Sequence, residues 1–223
     1  MKFNVITIFP KAFSYLDESI LKKAQEKGLI EVGVHNLRDF SEDRHGKVDD
    51  KSYGGGPGMV LKIEPIIKAI EFLTKKSRKL KAKTLIILFT PAGKQFDSKT
   101  AINLAGKYER LIFICGHYEG IDARVKKAIS GLGLKVEEIS VGPYVLGGGE
   151  LPAMVVIDAV SRHLPGVLGK GESLEEKRLG VGVPVYTRPE VFAFKKKKYS
   201  VPKVLLSGNH AVIEQWRIKN KKA

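Results

Sequence analysis

Apolar residues along this chain keep two rhythms. Solid short runs, Phe3 to Ile8, Thr84 to Phe89, Leu111 to Cys115 and Leu134 to Val141, have the length and β-branched content of buried strands. Ile30 to Val34 alternates, as a half-buried strand does. Between the strands, apolar residues recur every three or four positions, which predicts helices over Lys11 to Lys27, ended by Gly28, and over Ile63 to Leu73. Asp97 is placed to cap a helix running through Leu104, and Asp122 opens another short one. Glu150 to Leu164 forms another, with Pro152 in its first turn, where a missing N–H costs nothing. Strands alternating with helices predict an α/β domain with a largely parallel sheet. Residues 37–58 lack periodicity and read as a long exposed loop.

Three of the predicted strands run into loops of small residues: Thr90 to Gly93, Gly116 to Gly120, and Val141 to Gly149. Any one is also just a turn. Together they would stand at the carboxyl edge of one sheet, where open α/β folds hold ligands. The third loop contains three consecutive glycines, Gly147, Gly148 and Gly149, so its backbone can bend sharply, through φ > 0 where needed, and meet a flat heterocycle with free N–H and C=O groups. No G-x-G-x-x-G follows the first strand and no phosphate loop ends in Gly-Lys-Ser/Thr, which disfavours a conventional dinucleotide or triphosphate site.

Pro165-Gly166 breaks the last long helix. We therefore divide the chain into a main domain over 1–165, a flexible linker over 166–187 with five glycines, and a small, mainly helical domain over 188–223. In that last part, Val204 to His210 leads into an amphipathic helix through Trp216 and Ile218.

Charge sharpens the picture. Lys and Arg outnumber Asp and Glu by 39 to 24, and residues 188–223 hold ten basic side chains against two acidic ones. Such a field selects for a polyanion, nucleic acid or an anionic membrane. Lys195 to Lys198, beside Phe192, Phe194 and Tyr199, read better as phosphate contacts than as a merely solvated run. The single cysteine, Cys115, sits in an apolar run and excludes an internal disulfide. The five histidines have no metal-ligand spacing, and no apolar run is long enough to span a membrane, so the chain reads as cytoplasmic.

At the level of motifs the chain resembles the bacterial tRNA (guanine-N1)-methyltransferases of the knotted SPOUT class. The matching blocks are Asp49 to Met59, Thr90 to Gly93, Cys115 to Asp122, Val141 to Met154, Asp158 to Arg162, Tyr186 to Glu190, and Leu205 to His210 with Trp216-Arg217. They run in family order from end to end. The resemblance implies a homodimer, a SPOUT-type sheet with a trefoil knot, and S-adenosylmethionine bound at the knot. It also implies methylation of N1 of the guanosine immediately 3′ of the anticodon in tRNA. The adenine would lie against Val141, Gly142, Pro143, Tyr144, Val145 and Leu146, with Thr90, Pro91, Gly116, Gly148, Gly149 and Pro152 completing the cofactor pocket. The tRNA would meet Asp50, Gly58, Tyr118, Glu119, Arg188, Ser207, Asn209 and His210.

Guanine N1 carries a proton near neutral pH, so the reaction needs a base, worth roughly 10²–10⁴ in rate. A cation near O6 would stabilise the charge that develops. The resemblance assigns the cation to Arg162. The base is where the chain departs from the family: an acid follows the Glu-Glu pair there, whereas Glu175-Glu176 is followed here by Lys177. We assign the base to Glu176, with Glu175 or an acid elsewhere as alternatives. His117 replaces a frequent arginine and reads as a surface or stacking residue. Two other functions remain open on sequence alone: a non-catalytic or weakly active RNA-binding homologue, and a knotted methyltransferase acting at another RNA position.

Overall fold

The structure, a computed structural model, describes residues 1–75, 83–168 and 182–221. The chain divides into two compact units, Met1–Leu168 and Gly169–Ala223.

In the first unit, five strands form one sheet: β1 (Lys2–Thr7), β2 (Glu31–Asn36), β5 (Thr84–Gln95), β6 (Arg110–Ile114) and β7 (Lys135–Ser140). The order is β2-β1-β6-β5-β7, and every pairing is parallel. All carboxyl ends thus share one edge. Side chains alternate across the pleat: Leu85 and Ile87 enter one apolar cluster, Ile86 and Leu88 the other. The first cluster is closed by α1 (Ser19–Glu26), α3 (Ser98–Lys107) and α5 (Glu150–Ser161). The second is closed by α2 (Ile63–Thr74) and α4 (Arg124–Gly131). A sheet covered on both faces explains why its strands are solid apolar runs. The central strand β6 is fully buried from Leu111 to Ile114.

Several boundaries differ from expectation for local reasons. The first predicted helix is split, a 3₁₀ segment over Pro10–Asp17 preceding α1, because Glu18 is extended. Residues 37–58 are not wholly exposed: Leu37 opens a 3₁₀ turn, Val48 is fully buried, and β3 (Asp49–Asp50) pairs antiparallel with β4 (Val60–Leu61). Strand β5 does not stop at Phe89. Its partner Ile139 pairs with both Phe89 and Lys94, so residues 90–93 bulge out and the ladder resumes. Gly93 allows the return, since a Cβ there would lie 2.7 Å from the backbone of Ile139. Asp97 caps α3 as expected, its carboxylate accepting from the Thr100 N–H at 2.7 Å.

The second unit holds a hairpin, β8 (Val191–Phe194) with β9 (Lys197–Ser200), then α6 (Lys203–Leu206) and α7 (His210–Lys219), the last capped by Asn209. The hairpin escaped the sequence reading because its strands flank a lysine run with no glycine or asparagine to signal the turn. No helix among the described residues is long and apolar enough to cross a membrane.

Candidate active site

At the carboxyl edge of the sheet, the loops after β6 and β7 and the bulge of β5 enclose a cleft of about 420 Å³. Thr90 and Pro91 come from the bulge, and Gly116, Tyr118 and Glu119 from the loop after β6. Val141, Gly142, Tyr144, Val145, Leu146, Gly148 and Gly149 come from the bend after β7, and Pro152 from the first turn of α5. Of the pocket positions expected in the main domain, Pro143 alone does not line this cleft, although it stands in the bend between two that do.

The bend is fixed at its entrance by Ser140. Its hydroxyl donates to the Gly142 carbonyl at 2.9 Å and accepts from the Gly142 N–H at 3.3 Å, while its own carbonyl accepts from Phe96. Tyr144 folds back so that its hydroxyl meets the Val141 carbonyl at 3.2 Å and its ring covers Gly142. None of the three consecutive glycines takes a positive φ. Conformational freedom is therefore not why they are glycines; at Gly148 and Gly149 the reason is close approach. The Gly149 N–H donates to the Gly116 carbonyl at 3.0 Å, and a Cβ on Gly149 would lie 2.6 Å from Cys115 Cα. A Cβ on Gly148 would meet the His117 ring at 2.3 Å.

His117 is not a surface residue. Its Nε2 lies 2.6 Å from Glu150 Oε2, an N–H donating to the carboxylate, and its ring packs edge-on to Phe9. The other Glu150 oxygen accepts from the Thr7 hydroxyl at 2.5 Å, and Thr7 in turn accepts from the Phe9 N–H. Glu150 is buried at the start of α5, where the helix dipole favours a carboxylate. This chain of bonds ties the end of β1, the loop after β6 and the start of α5 behind the cleft wall. The sequence signal for it was slight, an acid directly after Gly149. Burial, with the Glu150 carboxylate second, pushes the neighbouring Cys115 thiol well up.

The loop after β6 also reaches the other way. The Glu119 N–H donates to the Met59 carbonyl, the Leu61 N–H to the Gly120 carbonyl, and the Asp122 N–H to the Leu61 carbonyl. The Glu119 carboxylate lies over Gly58, whose φ of +81° and missing Cβ both suit the approach. Tyr118 holds φ at +59°, a costly conformation for a bulky residue and one found at functional turns. Asp50 lies between Lys47 at 3.4 Å and Lys62 at 3.7 Å, and its carboxyl is held low by the Lys51 N–H first and by Lys47 next. Asp50, Gly58, Tyr118 and Glu119 thus cluster about one strip of backbone.

Arg162 caps the far end of α5 and does not line the cleft. Its Nε is buried without a hydrogen-bond partner among the described residues. Arg188, Ser207, Asn209 and His210 belong to the second unit, where Ser207 and Asn209 shape the turn into α7. Glu175, Glu176 and Lys177 lie outside the described residues.

The cleft's charge is informative. Its carboxylates are Glu119, Asp122 and Glu138, against the single ammonium of Lys126. Lys126 pairs with Glu138 at 2.6 Å, and Asp122 is held low by its hydrogen bonds to Arg124. Glu119 makes no ion pair among the described residues. Such a cleft opposes a phosphate and accommodates a cationic ligand.

A sequence model of the family described as tRNA (Guanine-1)-methyltransferase TrmD matches residues 1–223. Among curated proteins, the tRNA (guanine-N(1)-)-methyltransferase of Carboxydothermus hydrogenoformans is 51% identical over 223 residues, covering 98% of this chain and 82% of the relative. Proteins of the same description from Dictyoglomus turgidum and Dehalococcoides mccartyi are 50% and 49% identical, each also covering 98% of this chain, and 84% and 85% of the relative.

Proposed function

The chain belongs to the tRNA (guanine-1)-methyltransferase family, and from that premise we propose how its residues divide the work of methylating N1 of a guanine in tRNA. The observation that carries the reading is the cleft itself: backbone-rich, small-walled, at the carboxyl ends of three parallel strands, with one carboxylate unpaired among the described residues.

S-adenosylmethionine fits these walls, being a flat adenosine joined to a cationic sulfonium and ammonium; when bound, it supplies the activated methyl group. The bend from Val141 to Leu146 reads the adenine through main-chain groups, with Pro143 stiffening its course. Thr90, Pro91, Gly116, Gly148, Gly149 and Pro152 set the shape. Glu119 offers its carboxylate to the cationic side, or to the base that enters beside it. The target is the guanosine immediately 3′ of the anticodon, met by the strip that carries Asp50, Gly58, Tyr118 and Glu119. The second unit holds the tRNA through Arg188, Ser207, Asn209, His210 and its basic surface. Glu176 takes the N1 proton, and Arg162 stabilises the negative charge then spread toward O6.

Arg162 bears on assembly. Nine residues of α5, 153 to 161, separate it from Pro152 at the cleft, about 15 Å at the helical rise. One stripe of α5 is uncovered, with Leu151 59% and Val155 49% exposed on a helix apolar nearly all round. Antiparallel pairing of two such stripes about a two-fold axis would bring the partner subunit's Arg162 toward each cleft, which supports a homodimer. The bonds of residues 148–149 to 116–117, which join the bend after β7 to the loop after β6, are in keeping with a trefoil knot. We place the enzyme in the cytoplasm, with its tRNA.

Tritiated methyl transfer to tRNA transcripts tests the assignment. Wild-type protein should label a transcript with guanosine 3′ of the anticodon and leave one with adenosine there unlabelled, while Glu176→Gln should label slowly. Equal labelling of both transcripts would refute the position, and full activity in Glu176→Gln would remove that residue as base.

A further inference from the structure

The β8–β9 hairpin is built in a way that packing does not explain. Its register sets Phe192 opposite Tyr199 and Phe194 opposite Lys197. Residues two apart on a strand, and residues directly paired, share a face, so Phe192, Phe194 and Tyr199 form one aromatic surface. Phe192 and Phe194 lie nearly parallel, 6.2 Å apart at 12°, and Tyr199 adjoins Phe192 at 6.4 Å. All three are more than half exposed, at 55%, 52% and 55%. At the end of this surface the turn is made by Lys195 and Lys196, with φ of 44° and 62°. Paired positive φ values are those of a type I′ turn, which favours Asn-Gly and disfavours two lysines. Lys195 Nζ sits 5.4 Å from the Phe194 ring centroid, and Lys197 and Lys198 continue the charge into β9.

We propose that this hairpin is a stacking platform for unpaired nucleobases of the RNA substrate, with the ammonium groups of Lys195 to Lys198 holding the adjoining phosphates. The proposal rests on the reading of the substrate as RNA and adds which part of an RNA this surface takes. Single strands are bound by aromatic rings that accept any base on their faces, set in a positive field that follows the backbone. Duplex RNA offers no free base face and is recognised by shape and by its phosphates and 2′-hydroxyls. A surface for phosphate alone needs no aromatic rings. A protein partner is disfavoured because lysine is depleted from protein interfaces. The rings and the unfavourable lysine turn have one common use, a strand whose bases are splayed from a charged backbone.

The test uses the full-length protein and two fluorescently labelled RNAs of equal charge, a stem-loop with a seven-nucleotide loop carrying 2-aminopurine and a blunt duplex. Phe192→Leu/Tyr199→Leu keeps apolar strand residues and removes two of the three ring faces. It should weaken stem-loop binding at least about 10-fold, leave duplex binding and the salt slope unchanged, and sharply reduce 2-aminopurine quenching. Lys195→Asn/Lys196→Gly installs a better turn, so lost binding cannot come from a lost hairpin. It should weaken both RNAs and reduce the stem-loop salt slope by roughly 1.4, from about 0.7 per cation. Phe192→Trp should restore quenching in the Tyr199→Leu background. Equal losses on both RNAs in the ring variant, or no quenching by wild type, overturns the platform. Methyl transfer measured alongside separates the two readings. Transfer without quenching sinks the platform alone, and quenching without transfer sinks the methyltransferase assignment while the platform stands.

Discussion

Gly149→Ala is the sharpest probe of how the cleft is built. The added Cβ would sit 2.6 Å from Cys115 Cα, 3.0 Å from the Gly116 nitrogen and 3.1 Å from Cys115 Cβ. Carbon pairs rest at about 3.5–4.0 Å, so the start of α5 must part from the end of β6 by roughly 1 Å. Two of the three obstacles are backbone just past the end of β6, where no side chain can swing aside to make room. The displacement stretches the Gly149 to Gly116 hydrogen bond, worth about 0.5–1.5 kcal/mol, and overpacks a full core, at about 1–3 kcal/mol. We expect about 2–4 kcal/mol of lost stability in urea titrations. Gly147→Ala is the control: nothing lies within 4 Å of its Cβ and its φ is not positive, so alanine should be neutral or stabilising by a few tenths. Calorimetry with S-adenosylhomocysteine should show weakened binding in Gly149→Ala and retained binding in Gly147→Ala. Equal stability of the two variants, within about 0.5 kcal/mol, would refute the close-approach argument; equal ligand binding in a destabilised Gly149→Ala would detach the bend from the ligand.

If Arg162 plays the proposed role of stabilising developing charge, Arg162→Ala should lower the methyl-transfer rate by about 10²–10³ with S-adenosylhomocysteine affinity unchanged, since it does not line the cleft; a loss confined to ligand affinity would contradict that role. Cys115 should resist alkylation in the folded protein well above pH 8, since burial raises its pKa. The sign for stability follows: once pH exceeds the free thiol's pKa of about 8.5 the unfolded chain loses this proton and the folded chain keeps it, so Cys115→Ala should remove part of the alkaline fall in melting temperature. Rapid labelling at the native rate of a free thiol would show that the strand end opens.

Much of the fold was legible because it is written locally. Solid apolar runs such as Leu111 to Cys115 mark strands buried on both faces, and Asp97 caps its helix as its position suggests. The bulge of β5 was not legible, since Thr90-Pro91-Ala92-Gly93 reads as a stop and only Ile139, pairing twice, brings the strand back. The β8–β9 hairpin was hidden for the opposite reason: its turn is made by residues that local propensity assigns elsewhere.

The site divides along the same line. Its loops could be found from small residues at strand ends, but the reason for the glycines could not. Sequence offers a glycine's freedom of φ as the obvious explanation for Gly147 to Gly149, and the bend uses none of it. What Gly148 and Gly149 supply is absence of volume, against His117 and against the Cys115 backbone, more than thirty residues away in the chain. The same long-range logic makes the loop after β6 the common wall of two regions. It bonds through Glu119, Gly120 and Asp122 to Met59 and Leu61 on one side, and through Gly116 and His117 to Gly148 and Gly149 on the other. A shift at the bend therefore reaches Gly58 and Asp50 through one short strip of backbone, so a substitution such as Gly149→Ala should weaken tRNA binding as well as cofactor binding. Separate loss of cofactor binding alone would show that the two sides of the strip move independently.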